Sequence, residues 1–359
     1  MSNTKKSNNN LFIVILLFVA LQVFYQIIEG NRPKKISNEF VKTAQKYIKD
    51  VNVVGEKTVV IIGNGMVFNN KGEIKSYHNR AILEPLITNL NKEGYSTITM
   101  GLPCLEAKCY TDFFNLAEAV VSLNPDAVVL HASSAGLNTD ILNDAFSENN
   151  LPIYLYGRQL PVDHKLYVGP DNRKLGRSVA EEIKNRANPN DRILYVETVR
   201  LINGDITDNG YDRIDEARRS LTKEGFKEVK TIFTFWSKTR TYEEVISLLN
   251  SGERIDWIIT PSSETLKGAI EAVRIVELDY KVNLAVLDFS PEIKDLLEEG
   301  LVDVAVSQQF NKQSKAIFEG ITSSSSSNQI NSRFKKEFAS TAITKENLEN
   351  FLFVEQLDY

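Results

Sequence analysis

Short apolar runs recur along this chain, and each is followed by a longer stretch in which apolar residues return every three or four positions. The runs TVVIIG, TITMG, DAVVLHAS and PIYLYG read as strands, and those with unbroken apolar cores suit strands covered on both faces. Between them, HNRAILEPLITNLNKEG, TDFFNLAEAVVSLN and TDILNDAFSEN carry the helical period. A second series follows. KLYVG, RILYVE, VKTIFTF, DWIITP and NLAVLDF alternate with RKLGRSVAEEIKNR, YDRIDEARRSLTKEG, YEEVISLLNSG, TLKGAIEAVRIV and PEIKDLLEEG. Strands alternating with helices predict an α/β protein with parallel sheets and helices on both faces, and two such series predict two lobes.

The N-terminal region breaks this pattern. Residues 11–28, LFIVILLFVALQVFYQII, are almost wholly apolar. As a helix rising about 1.5 Å per residue they span roughly 27 Å, close to the hydrocarbon thickness of a bilayer. Lys5 and Lys6 precede the run, as in a secretory signal, but no small-x-small cleavage site follows it. The segment reads as an uncleaved anchor, with a cleaved signal as the alternative. From Asn31 to about Lys57 the chain is polar and lysine-bearing, and FVKTAQKYIKDV suggests a short amphipathic helix or stalk. Near the other end, a run of five serines after Thr322 has the composition of a flexible linker, and KKEFASTAITKENL predicts a final strand and a turn.

The strands of the second half, together with the last of the first series, end in residues suited to a small hydroxylated ligand. These are Arg158, Trp236, Ser262, Asp288 and Gln308, with Arg213 in the helix after RILYVE. In open α/β sheets ligands bind outside the carboxyl ends of parallel strands, where loops and helix N-termini present unpaired donors. Arg donates a planar fork, a carboxylate accepts from hydroxyls, Gln does both, and an indole face covers apolar C–H surface. The set predicts a binding cleft rather than a reaction centre.

Net charge and motif content narrow the function classes. With 42 Lys+Arg against 47 Asp+Glu the net charge is −5, and no basic patch offers a nucleic-acid surface. Cys104 and Cys109, the only cysteines, either close a small disulfide loop or remain as two thiols, and they lack the further ligands of a zinc site. His78, His131 and His164 are scattered, with no HExxH arrangement, so neither a metal nor another cofactor is expected. GNG after the first strand lacks the third glycine of a dinucleotide fingerprint, and no nucleophile elbow follows. The first 57 residues hold an apolar segment and a stalk, leaving no helix-turn-helix for a transcription factor.

The order of motifs over residues 58–350 resembles the type I periplasmic binding proteins, in particular the ribose-type sugar-binding branch shared with the ligand domains of LacI-type repressors. LPIYLYGRQLP is similar to that family's DR segment, YVGPDNRKLGRSVAEEI to its DN segment, and VLDFSPEIKDLLEEGLVDVAVSQQ to its FD-x-SPE…Q segment. TAITKENL resembles its closing VTKEN turn. The resemblance implies two Rossmann-like lobes joined by three hinge strands that close on a ligand. Arg158 then matches the arginine of the DR pair, Arg213 an arginine gripping sugar hydroxyls, and Trp236 an aromatic stacking on the ring. Ser262 falls where many members carry Asn, Asp288 matches the second-lobe carboxylate, Gln308 matches a glutamine near a hinge, and the first strand's exit supplies Asn64 and Phe68. Gly157 stands in place of the family's aspartate, and Glu216 and Ala217 replace its GF pair. Losing the carboxylate implies a ligand other than ribose: another sugar, a polyol or an acidic ligand.

The expected organisation is a cytoplasmic tail over 1–10, an anchor or signal segment over 11–28, a stalk over 29–57 and the binding domain over 58–350. Its first lobe covers about 58–160 plus 309–350, and its second about 165–305. The expected function is extracytoplasmic binding of a small sugar-like or polyol ligand at the cell membrane, without catalysis. A sensor histidine kinase or an ABC permease is the expected partner, and nucleic acid is not.

Overall fold

The computed structural model describes residues 47–63, 74, 77–101, 110–131, 139–157, 159, 162–198, 209–324 and 334–357. The segment 11–28, Asn64, Phe68, Cys104, Cys109 and Arg158 lie outside them. Among the described residues no helix is long and apolar enough to cross a membrane. The elements run β1 (Ile48–Asn52), β2 (Lys57–Gly63), α1 (Tyr77–Lys92), β3 (Tyr95–Gly101), α2 (Tyr110–Leu123), β4 (Ala127–His131), α3 (Thr139–Glu148), β5 (Ile153–Tyr156) and β6 (Leu166–Pro170). Next come α4 (Asn172–Arg186), β7 (Arg192–Glu197), α5 (Asn209–Lys223), β8 (Lys227–Phe233), α6 (Lys238–Asn250), β9 (Trp257–Thr260) and α7 (Ser263–Ile275). The chain ends with β10 (Asn283–Val286), α8 (Pro291–Glu298), β11 (Val304–Val306), α9 (Phe310–Ser324), β12 (Phe334–Phe338), β13 (Ala342–Ile343) and α10 (Leu348–Leu357).

The chain forms two α/β units. The first comprises Met1–Val168 and Ser314–Lys335, the second Gly169–Gln313 and Lys336–Tyr359, so the chain passes between them three times. The first sheet has the order β1-β3-β2-β4-β5-β6-β12. β2 is parallel to both β3 and β4, and its residues after Lys57 are all buried, as its unbroken apolar run requires of a central strand. Helix α2 (Phe113, Leu116, Val120) and helix α3 (Leu142, Phe146) join Val60, Ile62, Val128 and Leu130 in one core.

Two segments depart from the sequence expectation. Where an amphipathic helix or stalk is expected up to Lys57, Ile48–Asn52 is instead an edge strand antiparallel to β3, with Val51 opposite Ile98. The spacing of Tyr47, Val51 and Val54 suits a helix, but β-branched residues beside the open edge of β3 gain ladder hydrogen bonds and bury Tyr47 and Ile48. After β13, the expected turn leads into α10, whose Phe351 ring meets Phe289 at 5.0 Å between centroids.

The second sheet has the order β13-β11-β10-β9-β7-β8, parallel throughout except where β13 runs antiparallel to β11. Side chains along β7 alternate between two cores. Ile193 and Tyr195 pack with Leu175, Val179 and Ile183 of α4 and Ile214 and Leu221 of α5. Leu194 and Val196 pack with Val245 of α6, Leu266 and Ile270 of α7 and Ile293 of α8. This two-residue period places helices on both faces of the sheet. Sequence order reverses at β7, which sits between β8 and β9, and such a reversal opens the carboxyl edge there to ligands.

Candidate functional site

The carboxyl edge of the second sheet gathers polar side chains into one network. Arg213, in the first turns of α5, is 4% exposed. Its Nε donates to Asn172 Oδ1 at 2.7 Å, and Nη1 to the carbonyls of Pro261 at 3.1 Å and Leu287 at 3.5 Å. Its Nη2 donates to Gln308 Oε1 at 2.9 Å. The guanidinium thus collects the strand ends after β9, β10 and β11 together with the start of α4, as only a planar fork of five donors can.

Asp288 lies two residues past β10 and is fully buried. Its Oδ2 accepts from the backbone N–H of Ser263 at 3.1 Å and from the Ser263 hydroxyl. Its Oδ1 accepts from the Phe289 N–H at 2.9 Å and from Gln308 Nε2 at 3.3 Å. Ser263 opens α7, so the carboxylate meets the positive end of that helix. Gln308 bridges the two charges with a defined orientation, because Arg213 can only donate and an ionised Asp288 can only accept.

Other predicted residues take different places. Ser262 is the N-cap of α7, its hydroxyl accepting from Thr265 N–H, so this side chain is committed to the helix start. Trp236 is partly exposed and follows Phe235 in a turn where both aromatics have left-handed backbones, φ 54 and 60. Such conformations cost about 1 kcal/mol or more each and persist where surrounding bonds impose them. Here Thr234 and Phe235 donate to the carbonyls of Glu197 and Thr198, and Ser237 donates back to Thr234. A side chain on Gly210 would begin 2.6 Å from Thr198 Cγ2 and Oγ1 and 3.0 Å from the indole edge, so Thr198 would have to shift to admit it. The pair replacing the family's GF also has a local role. Glu216 pairs with Arg177 at 3.2 Å, and the Ala217 backbone packs where α4 meets α5 at Gly176.

Sequence reasoning missed two residues. Asn172 appeared only as part of a DN motif, yet it accepts from Arg213. Its position at the first turn of α4, after the N-cap Asp171, was the available signal. His131 ends β4 of the first unit, by the same strand-end criterion applied elsewhere. Its ring lies 4.7 Å from that of Tyr156, and its Nε2 is 3.0 Å from where a Cβ on Gly157 would stand. Gly157 itself has φ 81, so an aspartate there is opposed both by the backbone and by the imidazole. Burial and the neighbouring His78 lower the His131 pKa to about 4, leaving a neutral ring at physiological pH. Burial raises the Tyr156 hydroxyl well above its ordinary value, and that hydroxyl faces Asn79 Oδ1 at 3.5 Å.

The second unit is thus doubly wound, with a buried Arg–Gln–Asp network at its carboxyl edge. Residues 110–322 match the family model of the periplasmic binding protein domain, and the chain belongs to that family. A D-ribose/D-allose-binding protein of Pseudomonas aeruginosa is 26% identical over 183 residues, 51% of this chain and 53% of that protein. The chain therefore spans about half the length of this curated relative. A periplasmic ribose ABC transporter structure from Conexibacter woesei superposes with a TM-score of 0.69 at 15% identity, covering 84% of this chain and 96% of that one. A solute-binding protein from Bacillus halodurans with bound myo-inositol gives 0.65 at 21%, covering 85% and 99%. A chain of the XylFII–LytSN complex gives 0.63 at 15%, covering 82% and 99%. These likenesses establish the fold.

Proposed function

We propose that this protein is an extracytoplasmic solute-binding protein that takes a small sugar-like or polyol ligand and is tethered to the cell membrane by residues 11–28. The observation that carries the reading is the buried Arg213–Gln308–Asp288 network at the carboxyl edge of the second sheet. A guanidinium, an amide and a carboxylate held together offer donors and acceptors to adjacent hydroxyl groups. In the first unit, neutral His131 fills the space over Gly157 where the family's aspartate would stand, which favours a ligand other than ribose.

A thermal-unfolding screen of the full chain against D-ribose, D-allose, myo-inositol and wider pentose, hexose and polyol panels tests this. Ligand at 100 times its Kd adds about 2.7 kcal/mol of stability to the folded state. No shift with any of these at millimolar concentration sinks the sugar reading.

Occupancy passes to a membrane partner, either a sensor histidine kinase or the permease of an ABC transporter. Similarity to a chain of the XylFII–LytSN complex supports a protein partner. Cross-linking in the native host decides which, and recovery of neither overturns the proposal. N-terminal sequencing tests the tether, since a mature chain starting between residues 20 and 35 would mean a cleaved signal.

A further inference from the structure

Gln313 sits at the last position of the second unit before the chain enters the first, and it is 1% exposed. Its Nε2 donates to the backbone carbonyl of Gln308 at 2.7 Å. Its Oε1 is sealed from solvent and has no hydrogen-bond partner. The orientation of this amide follows from its neighbour, because a carbonyl accepts only and must face the NH₂ group. An apolar side chain of similar shape would fill the same space without burying an unpaired oxygen. The compensating gain is the bond to Gln308.

The backbone around Gln308 needs such a restraint. Gln309 has a left-handed backbone at φ 57, an uncommon conformation for a residue with a side chain. On its other side, Gln309 N–H donates to Ser307 Oγ at 3.0 Å. Ser307 N–H donates to Ser340 Oγ at 2.8 Å, and Ser340 N–H donates back to the Ser307 carbonyl at 3.0 Å. Bonds on both sides thus fix the peptide that carries the Gln308 side chain between Arg213 and Asp288.

We propose that Gln313 is a positioning residue: by holding the Gln308 carbonyl it sets the side-chain amide of Gln308 into the Arg213–Asp288 network, and so sets affinity without touching ligand. The part concerning affinity rests on the reading of this network as a ligand site. The test uses the full chain in detergent with ¹⁵N-labelled glutamine. In the wild type the two Gln308 side-chain amide protons, identified by their loss in Gln308→Ala, are expected to be distinct and protected from exchange. In folded Gln313→Met they move to the exchange-averaged values of a free glutamine. Unchanged Gln308 amide signals in that variant overturn the proposal. Should Gln313→Met not fold, Gln313→Leu also removes the donor while keeping an apolar side chain of similar size, with the same expectation.

Binding supplies the second readout, with D-ribose, D-allose and myo-inositol as probes. For a probe that binds the wild type, Gln308→Ala and Gln313→Met each raise Kd by about tenfold. The double variant is no weaker than Gln308→Ala alone, because residues acting through one group are not additive. Additive losses overturn the positioning role. If none of the three probes binds the wild type, the sugar reading fails for them while the amide signals still decide the role of Gln313.

Discussion

Gln308 Oε1 accepts from Arg213 Nη2 at 2.9 Å, so the side chain expected to grip a ligand is itself held by the protein. With Asn172, Pro261 and Leu287 also donated to, Arg213 is a structural hub. Arg213→Ala strands these buried acceptors and should destabilise the protein by about 3–5 kcal/mol, the range for removing one member of a buried charged network. Arg213→Lys should recover only part of that, because a point cation cannot span acceptors on separate strands. Urea unfolding of both variants measures it, and near-wild-type stability of Arg213→Ala would show that the network carries little of the fold.

Asp288 accepts from Ser263, Phe289 and Gln308. Asp288→Ala should cost about as much as Arg213→Ala, whereas Asp288→Asn should cost less, since one amide oxygen still accepts from the start of α7. The order of unfolding midpoints in denaturant checks this: wild type highest, then Asn, then Ala.

Gly176 and Gly225 should respond to alanine for different reasons. A Cβ at Gly176 would stand 2.4 Å from the Arg213 carbonyl and 3.0 Å from the Ala217 nitrogen, so α4 and α5 must move apart. Gly176→Ala should destabilise by about 1–3 kcal/mol and also displace Arg213, weakening ligand binding. Nothing lies within 4 Å of a Cβ at Gly225, but its φ is 92. Gly225→Ala should cost about 1 kcal/mol through backbone strain alone and leave binding intact. Unfolding and binding measured on the same two variants separate the cases.

Acid should weaken the first unit through His131. Its folded-state pKa, about 4, lies below the ordinary value of 6.5, so as pH falls the unfolded chain takes up a proton that the folded chain refuses. This source of instability is absent above about pH 6.5, grows as pH falls towards 4, and has a slope of at most about 1.4 kcal/mol per pH unit. His131→Gln should flatten that part of the stability profile. An equal loss between pH 7 and 5 in wild type and variant would assign the acid sensitivity to other groups.

The alternation of strands and helices was legible because the helical and extended periods are written into each segment, as in the unbroken VVII of β2. Strand-end position identified Asp288 and Gln308, the family resemblance pointed to Arg213, and the structure brings the three into one network. Their mutual bonds were not legible, since these depend on how α5 lies over strand ends far away in sequence. The same holds for Asn172, which counts only because Arg213 reaches it. The left-handed turn before Trp236 was hidden as well: neither Phe nor Trp announces a positive φ, which here comes from bonds to the end of β7. At β1, ladder formation with β3 outweighed a spacing that suits a helix.

The passages of the chain between its two units also set an order on synthesis. Residues 169–313 emerge from the ribosome before 314–335, which complete the first unit, and only Lys336 onward completes the second. A message truncated near codon 313 would therefore cost both units at once, removing β12 from one sheet and the antiparallel edge strand β13 from the other. Neither sheet of this protein is whole until the segment from Phe334 to Ile343 has been made.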